Sequence, residues 1–149
     1  MKVVERTISV EASPEVAFKI YVEEIDRWWP WQGAEFRYTF AGPDQEPDHI
    51  LFEAQENGRY YEIFADGSTY DIGRIVTYEP PSRLVYTWQA PDWEGETTIE
   101  LAFAPQGEGT LVTLRHWGFE DAGVPELADG YAMGHDEVMG IYAAFVRDH

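Results

Sequence analysis

The chain contains no cysteine. That excludes disulfides, thiolate metal sites and a cysteine nucleophile. Positive charge is scarce as well. Ten Lys and Arg stand against 28 Asp and Glu, a net charge of −18, and Lys2 and Lys19 are the only lysines. Nucleic acid is a polyanion that such a chain repels, and no basic cluster offers a local exception. Anionic membrane surfaces are disfavoured on the same ground. The acidity itself has two readings, a cationic partner or plain solubility in a salty medium, and the second asks for less. No apolar run approaches the roughly 18 residues of a membrane span. The segment Met1-Lys2-Val3-Val4-Glu5 lacks the apolar stretch of a signal peptide. A cytoplasmic protein is therefore expected. There is no Gly-x-Ser-x-Gly elbow and no glycine-rich phosphate loop; Gly107-Glu108-Gly109 reads as a turn between strands. His49, His116, His135 and His149 fall on separate segments without the spacing of zinc ligands. Neither a metal nor another cofactor is expected.

What the chain does have is aromatic side chains: 6 Trp, 9 Tyr and 8 Phe in 149 residues. The length suits one domain spanning 1–149 with a core that needs no staples. Thr7-Ile8-Ser9-Val10 alternates, predicting a strand over about residues 2–11. Ser13-Pro14-Glu15 is a helix start: a capping hydroxyl, a proline at the first helical position and an acid at the positive end. Val16, Ile20 and Tyr21 continue that helix, and a second short one carries Ile25, Trp28 and Trp29 up to Pro30. Residues 30–48 are loop-rich, with Gly33, Gly42, Pro43 and Pro47. Six strands follow: His49–Gln55, Arg59–Phe64, Thr69–Tyr78, Arg83–Gln89, Thr97–Ala104 and Thr110–Trp117. Asn57-Gly58 reads as a tight hairpin turn, as does Asp66-Gly67. The period then changes, and Val138, Ile141, Tyr142 and Phe145 mark one stripe of a helix over about 126–147. Consecutive strands joined by short turns form an antiparallel sheet.

Several marks recur in a fixed order. They are Trp28-Trp29-Pro30, Gly58-Arg59-Tyr60, Asp66-Gly67, Gly73-Arg74-Ile75, Glu79-Pro80-Pro81-Ser82-Arg83-Leu84, Thr87-Trp88, Gly109-Thr110 and His116-Trp117-Gly118-Phe119. In order and spacing the chain resembles the activator of Hsp90 ATPase homologue 1-like (AHSA-type) family, part of the START-like (SRPBCC) superfamily. The resemblance spans essentially the whole chain. It implies an α+β helix-grip fold of the birch-pollen-allergen kind, β-α-α-β6-α, with a seven-stranded curved antiparallel sheet around a long C-terminal helix. It also implies a cavity that takes lipid-like or aromatic molecules. One departure stands out: Gly134-His135 occupies the place where the family usually has Gly-Trp, so the mouth of the cavity is expected to differ.

Candidate lining residues are Trp29, Tyr60, Phe64, Ile75, Tyr86, Trp88, Leu101, Phe103, Leu114, Met139 and Tyr142. Each can equally be plain core, since large apolar side chains are normally buried. The polar candidates are Glu62, Asp71, Glu100, His116 and His135. Glu62 alternates with Tyr60 and Phe64, so it faces inward if they do; if Tyr61 and Ile63 face inward, it faces water. Inward, its pKa rises. His116 shares a parity with Val112 and Leu114, which predicts burial. The leading expectation is binding of a small apolar or aromatic ligand without catalysis and with no catalytic residue assigned. A cyclase- or hydrolase-like enzyme using Glu62 or His116 is the alternative, and a co-chaperone-like module with a protein partner is the third.

Overall fold

The computed structural model describes residues 2–149. Its strands are β1 Val3–Val10, β2 Pro47–Phe52, β3 Arg59–Phe64, β4 Thr69–Glu79, β5 Arg83–Trp88, β6 Thr97–Gln106 and β7 Gly109–Trp117. Helices α1 Pro14–Glu23 and α2 Ile25–Trp28 follow β1, and α3 Ala128–Arg147 closes the chain after a 3-10 turn at Pro125–Leu127. All neighbouring strands are antiparallel, in the order β1-β7-β6-β5-β4-β3-β2. Strands β2 to β7 are successive hairpins, and β1 adds beside β7. The segment between β1 and β2 therefore crosses from one edge of the curled sheet to the other, carrying α1 and α2. This is the helix-grip architecture. No described helix is long and apolar enough to cross a membrane.

Alternation decides which face each strand buries. In β6, Thr97, Ile99, Leu101 and Phe103 are buried while Thr98, Glu100 and Ala102 are partly exposed. Their partners on β7 are His116, Leu114 and Val112, opposite Ile99, Leu101 and Phe103. In β3, Tyr60, Glu62 and Phe64 are buried and Tyr61 and Ile63 are not, so the inward parity of Glu62 holds. Strand β4 breaks the rule: Ile72 and Ile75, three apart, are both buried. Register shifts on both sides of that stretch re-aim the chain. Gly73 sits there because a Cβ would lie 1.8 Å from the Thr87 carbonyl oxygen.

The expected helix start is in place: Ser13 Oγ accepts from the Val16 N–H at 3.3 Å, with Pro14 and Glu15 in the first turn. Glu24 alone separates α1 from α2, and Trp29 turns extended ahead of Pro30. Two expectations need correction. Asn57-Gly58 is not a two-residue hairpin turn. It ends a six-residue loop, 53–58, in which Asn57 takes φ 65° and Gly58 N–H donates to Gln55 O. The stripe of α3 is also rotated. Gly134, Val138, Met139, Tyr142 and Val146 are buried, while Ile141 and Phe145 lie at its margin. The concave sheet meets a broad face of the helix, and Tyr142 Oη, donating to Ala17 O at 2.6 Å, fixes its rotation against α1.

Candidate functional site

The space between α3 and the sheet is nearly full. About 50 Å³ remains, lined by residues including Tyr21, Trp28, Trp29, Tyr86, Trp88, Leu114, His135, Met139 and Tyr142. A larger groove of about 270 Å³ opens at one end of the grip. Its walls are Phe36, Arg37, Tyr38, Thr39 and Phe40 on one side, and Leu127, Gly130, Tyr131 and Gly134 on the other, with Trp88 between them. Tyr38, Trp88, Tyr131 and Gly134 are walls of both spaces.

Of the residues singled out from the sequence, Trp29, Tyr86, Trp88, Leu114, His135, Met139 and Tyr142 border the inner space, and Trp88 borders the groove too. Tyr60, Glu62, Phe64, Ile75, Leu101, Phe103 and His116 border neither. The reason is packing. Tyr60 stacks on Phe52 at 4.1 Å between ring centroids and meets Tyr86 at 5.1 Å. Phe103 meets Phe18 at 5.1 Å. Phe64, Ile75 and Leu101 are buried core residues. Asp71 and Glu100 face outward, in ion pairs with Arg59 and Arg83. The residues that sequence reasoning missed are the strap 36–40 together with Leu127, Gly130 and Tyr131. The signal was present: Phe36, Tyr38 and Phe40 alternate, and Tyr131 lies four residues before His135 on the same helix face.

Two carboxylates tie the strap down. Glu62 accepts from the Phe40 N–H at 2.9 Å and from the Thr39 hydroxyl. Burial raises its pKa, and these two bonds, with the nearby Arg37 charge, oppose the rise. Glu137 on α3 accepts from Ala34 N–H at 2.8 Å and Tyr38 Oη at 2.7 Å, which holds its pKa down. Trp29 Nε1 adds a bond to Tyr38 O at 2.8 Å. Glu62 is thus a buried anchor with its oxygens occupied.

The histidines form a directed chain. Thr97 Oγ1 donates to Trp88 O at 2.8 Å. Its single proton is spent there, so at 2.7 Å it accepts from His116 Nε2. His116 Nδ1 then carries the lone pair and accepts from His135 Nε2 at 2.9 Å. Both rings are Nε2–H tautomers, and His135 Nδ1 is left as an acceptor. Burial, then the neighbouring His135, pushes the His116 pKa down to about 2. Burial, then Arg6, pushes that of His135 down to about 4. Both are neutral at pH 7. The contrast with the sequence reading is that His116 and His135, on different elements, meet. Among the described residues no cluster of three or more metal-ligating side chains exists.

Trp88 Nε1 donates to Tyr131 Oη at 3.0 Å, so the floor of the groove is fixed to its helical wall. Phe40 packs on Trp88 with centroids 5.5 Å apart. The arrangement is an aromatic slot with one charged lining residue, Arg37.

Comparison with known proteins bears on the whole chain. The crystal structure of protein CV1439 from Chromobacterium violaceum is similar with a TM-score of 0.70 at 18% identity, covering 99% of each chain. A Rhodobacter sphaeroides protein gives 0.71 at 19% identity, covering 99% of this chain and 93% of that one. At these identities the likeness concerns the fold. The anthrahydroquino-gamma-pyrone synthase Txn09 is similar at 29% identity, with a TM-score of 0.65 and coverage of 97% of this chain and 96% of that one. No curated protein sequence matches. Residues 11–143 match the family described as Activator of Hsp90 ATPase homolog 1-like protein. That match takes in everything from the end of β1 to the last turns of α3, so the chain belongs to this family.

Proposed function

We propose that this protein binds a flat, largely apolar aromatic molecule in the groove, seated against Trp88 between the strap and α3. The observation that carries the reading is the wall itself: Phe36, Tyr38, Phe40, Trp88 and Tyr131 surround one open space of about 270 Å³. Small-molecule sites are concave and mainly apolar, typically of about 300 Å³ or more; at about 270 Å³ this groove is at the small end and suits a ligand of a few fused rings. Its walls are held by hydrogen bonds rather than left to rearrange, which lowers the cost of ordering on binding. The Txn09 relative supports the same class, since its name denotes a fused aromatic skeleton. The earlier expectation put the ligand deep between helix and sheet; the inner space of about 50 Å³ suits a polar atom or a methyl-sized end rather than a ring.

The test is titration with phenylnaphthylamine, a neutral aromatic dye, beside native mass spectrometry of protein purified from its own host. Saturable dye fluorescence is expected in the wild type. Trp88→Ala should weaken it about fivefold, the loss of roughly 1 kcal/mol of aromatic contact, with the melting transition retained. Unchanged dye affinity in Trp88→Ala, or no binding at all, overturns the reading.

A second reading, cyclase-like catalysis, is favoured by the synthase name of that same relative. The hydrogen bonds argue for seating such chemistry at His135 rather than at Glu62 or His116, whose polar atoms are already held by protein partners. Conversion of an aromatic polyketone probe above the buffer rate, lost in His135→Ala, supports it. Equal rates with and without protein leave binding alone.

A further inference from the structure

We infer that the ligand of this groove carries an anionic group, a carboxylate or an acidic phenolate, and that Arg37 receives it. The inference rests on the reading of the groove as a ligand site and adds the chemical class of what enters.

Acidic residues outnumber basic ones 28 to 10. Lys2, Arg6, Arg27, Arg59, Arg83, Arg115 and Arg147 all form ion pairs with carboxylates. Arg74 donates to the Asn57 carbonyl oxygen. Among the described residues only Lys19 and Arg37 have neither kind of partner, and Lys19 is on the outer face of α1, away from the groove. Arg37 stands on the strap. It is the one charged residue in the groove wall, between Phe36 and Tyr38 in sequence, and Trp88 lines the same groove. Its charge opposes the rise that burial causes in the pKa of the Glu62 carboxylate, while its own side chain stays exposed.

In so acidic a chain, a groove without a single acid and with a free guanidinium runs against composition. A planar guanidinium beside aromatic walls is suited to a flat molecule with an anionic edge, because its donors match carboxylate geometry and its face stacks on rings. The net charge of −18 opposes anions at long range. At physiological ionic strength the Debye length is about 8 Å, so distant carboxylates are screened more strongly than a direct contact with Arg37.

Two dyes with the same aromatic frame make the test. Anilinonaphthalene sulfonate carries an anionic group, and phenylnaphthylamine does not. Both are titrated into wild type and into Arg37→Gln, at low and high salt. Arg37→Gln should lower affinity for the sulfonate roughly fivefold, the scale of one partly exposed charged contact, and leave phenylnaphthylamine unchanged. Added salt should narrow the gap in sulfonate affinity between wild type and Arg37→Gln, since it screens the Arg37 contact only where Arg37 is present. If Arg37→Gln affects neither dye, or both equally, the anion inference is wrong while the groove reading stands. If neither dye binds the wild type, both fall.

Discussion

Three polar side chains in this core are arranged so that each fixes the state of the next. Thr97 gives its proton to a backbone carbonyl, so His116 donates to Thr97, and so His135 donates to His116. The chain keeps two imidazoles neutral inside an aromatic surround: His116 lies 4.5 Å from Phe119 and 5.3 Å from Tyr131 between centroids. This has a consequence for stability. Below about pH 6.5 the unfolded chain takes up a proton at each histidine. The folded chain resists until about 4 at His135 and about 2 at His116. More protons are bound in the unfolded state, so stability falls on acidification, by up to about 1.4 kcal/mol per pH unit for each histidine in that window. His49 works the other way: its bond to Asp26 raises its pKa, so its contribution is present below the unfolded value and lost as pH rises. The comparison must therefore be with a variant lacking the pair. Urea unfolding of wild type should lose stability between about pH 7.5 and about pH 5.5, and His116→Asn with His135→Gln should lose clearly less. Equal losses in the two proteins would mean the pair is not buried neutral.

The strap and the last helix form the groove together, and a close approach joins them. A Cβ on Gly134 would lie 3.3 Å from the Tyr38 ring, whereas one on Gly140 would meet nothing within 4 Å. Alanine is a better helix former than glycine by about 1 kcal/mol. Gly140→Ala should accordingly stabilise the protein by up to about 1 kcal/mol and leave dye binding alone. Gly134→Ala should recover less of that gain and alter dye binding, since the Tyr38 ring, a wall of the groove, must give way by a few tenths of an ångström. Thermal melts and dye titrations of the two variants check this; identical behaviour would detach Tyr38 from the helix. The same pair of elements shows what was legible beforehand. Strands β6 and β7 were readable because their neighbours in sequence carry the pattern, and α1 because Ser13, Pro14 and Glu15 are consecutive. The strap is flanked by loop signals, Gly33, Gly42 and Pro43. Its place depends on Glu62, 22 residues from Phe40, and on Glu137, 99 residues from Tyr38, and no local rule reports such bonds. His116 and His135 were each visible as candidates, but their meeting depends on how β7 and α3 dock. The rotation of the α3 stripe has the same origin, since the concave sheet rather than the helix's own period decides which residues are covered.

At the scale of the molecule, the many aromatic side chains have two uses. Most fill the grip. Tyr21, Phe52, Tyr60, Tyr86 and Tyr142 pack ring against ring, and Tyr21 and Tyr86 share a hydroxyl hydrogen bond at 3.0 Å. Such packing favours a rigid core over a large internal cavity. Others gather at the open end, where Phe36, Phe40, Trp88 and Tyr131 leave a slot. The fold was thus apparent from the order of elements, whereas the location of free space was not, because alternation says that a side chain faces inward and not whether anything is missing beside it. The proposed seat of the ligand is this slot. Chemical-shift mapping of isotope-labelled protein during a phenylnaphthylamine titration tests it most directly. The Trp88 indole and the backbone amides of 36–40 and 127–134 should shift together with one saturable dissociation constant, while Tyr60, Leu101 and Phe103 stay put. Shifts centred on those core strands, or scattered over the outer face of the sheet, would contradict it.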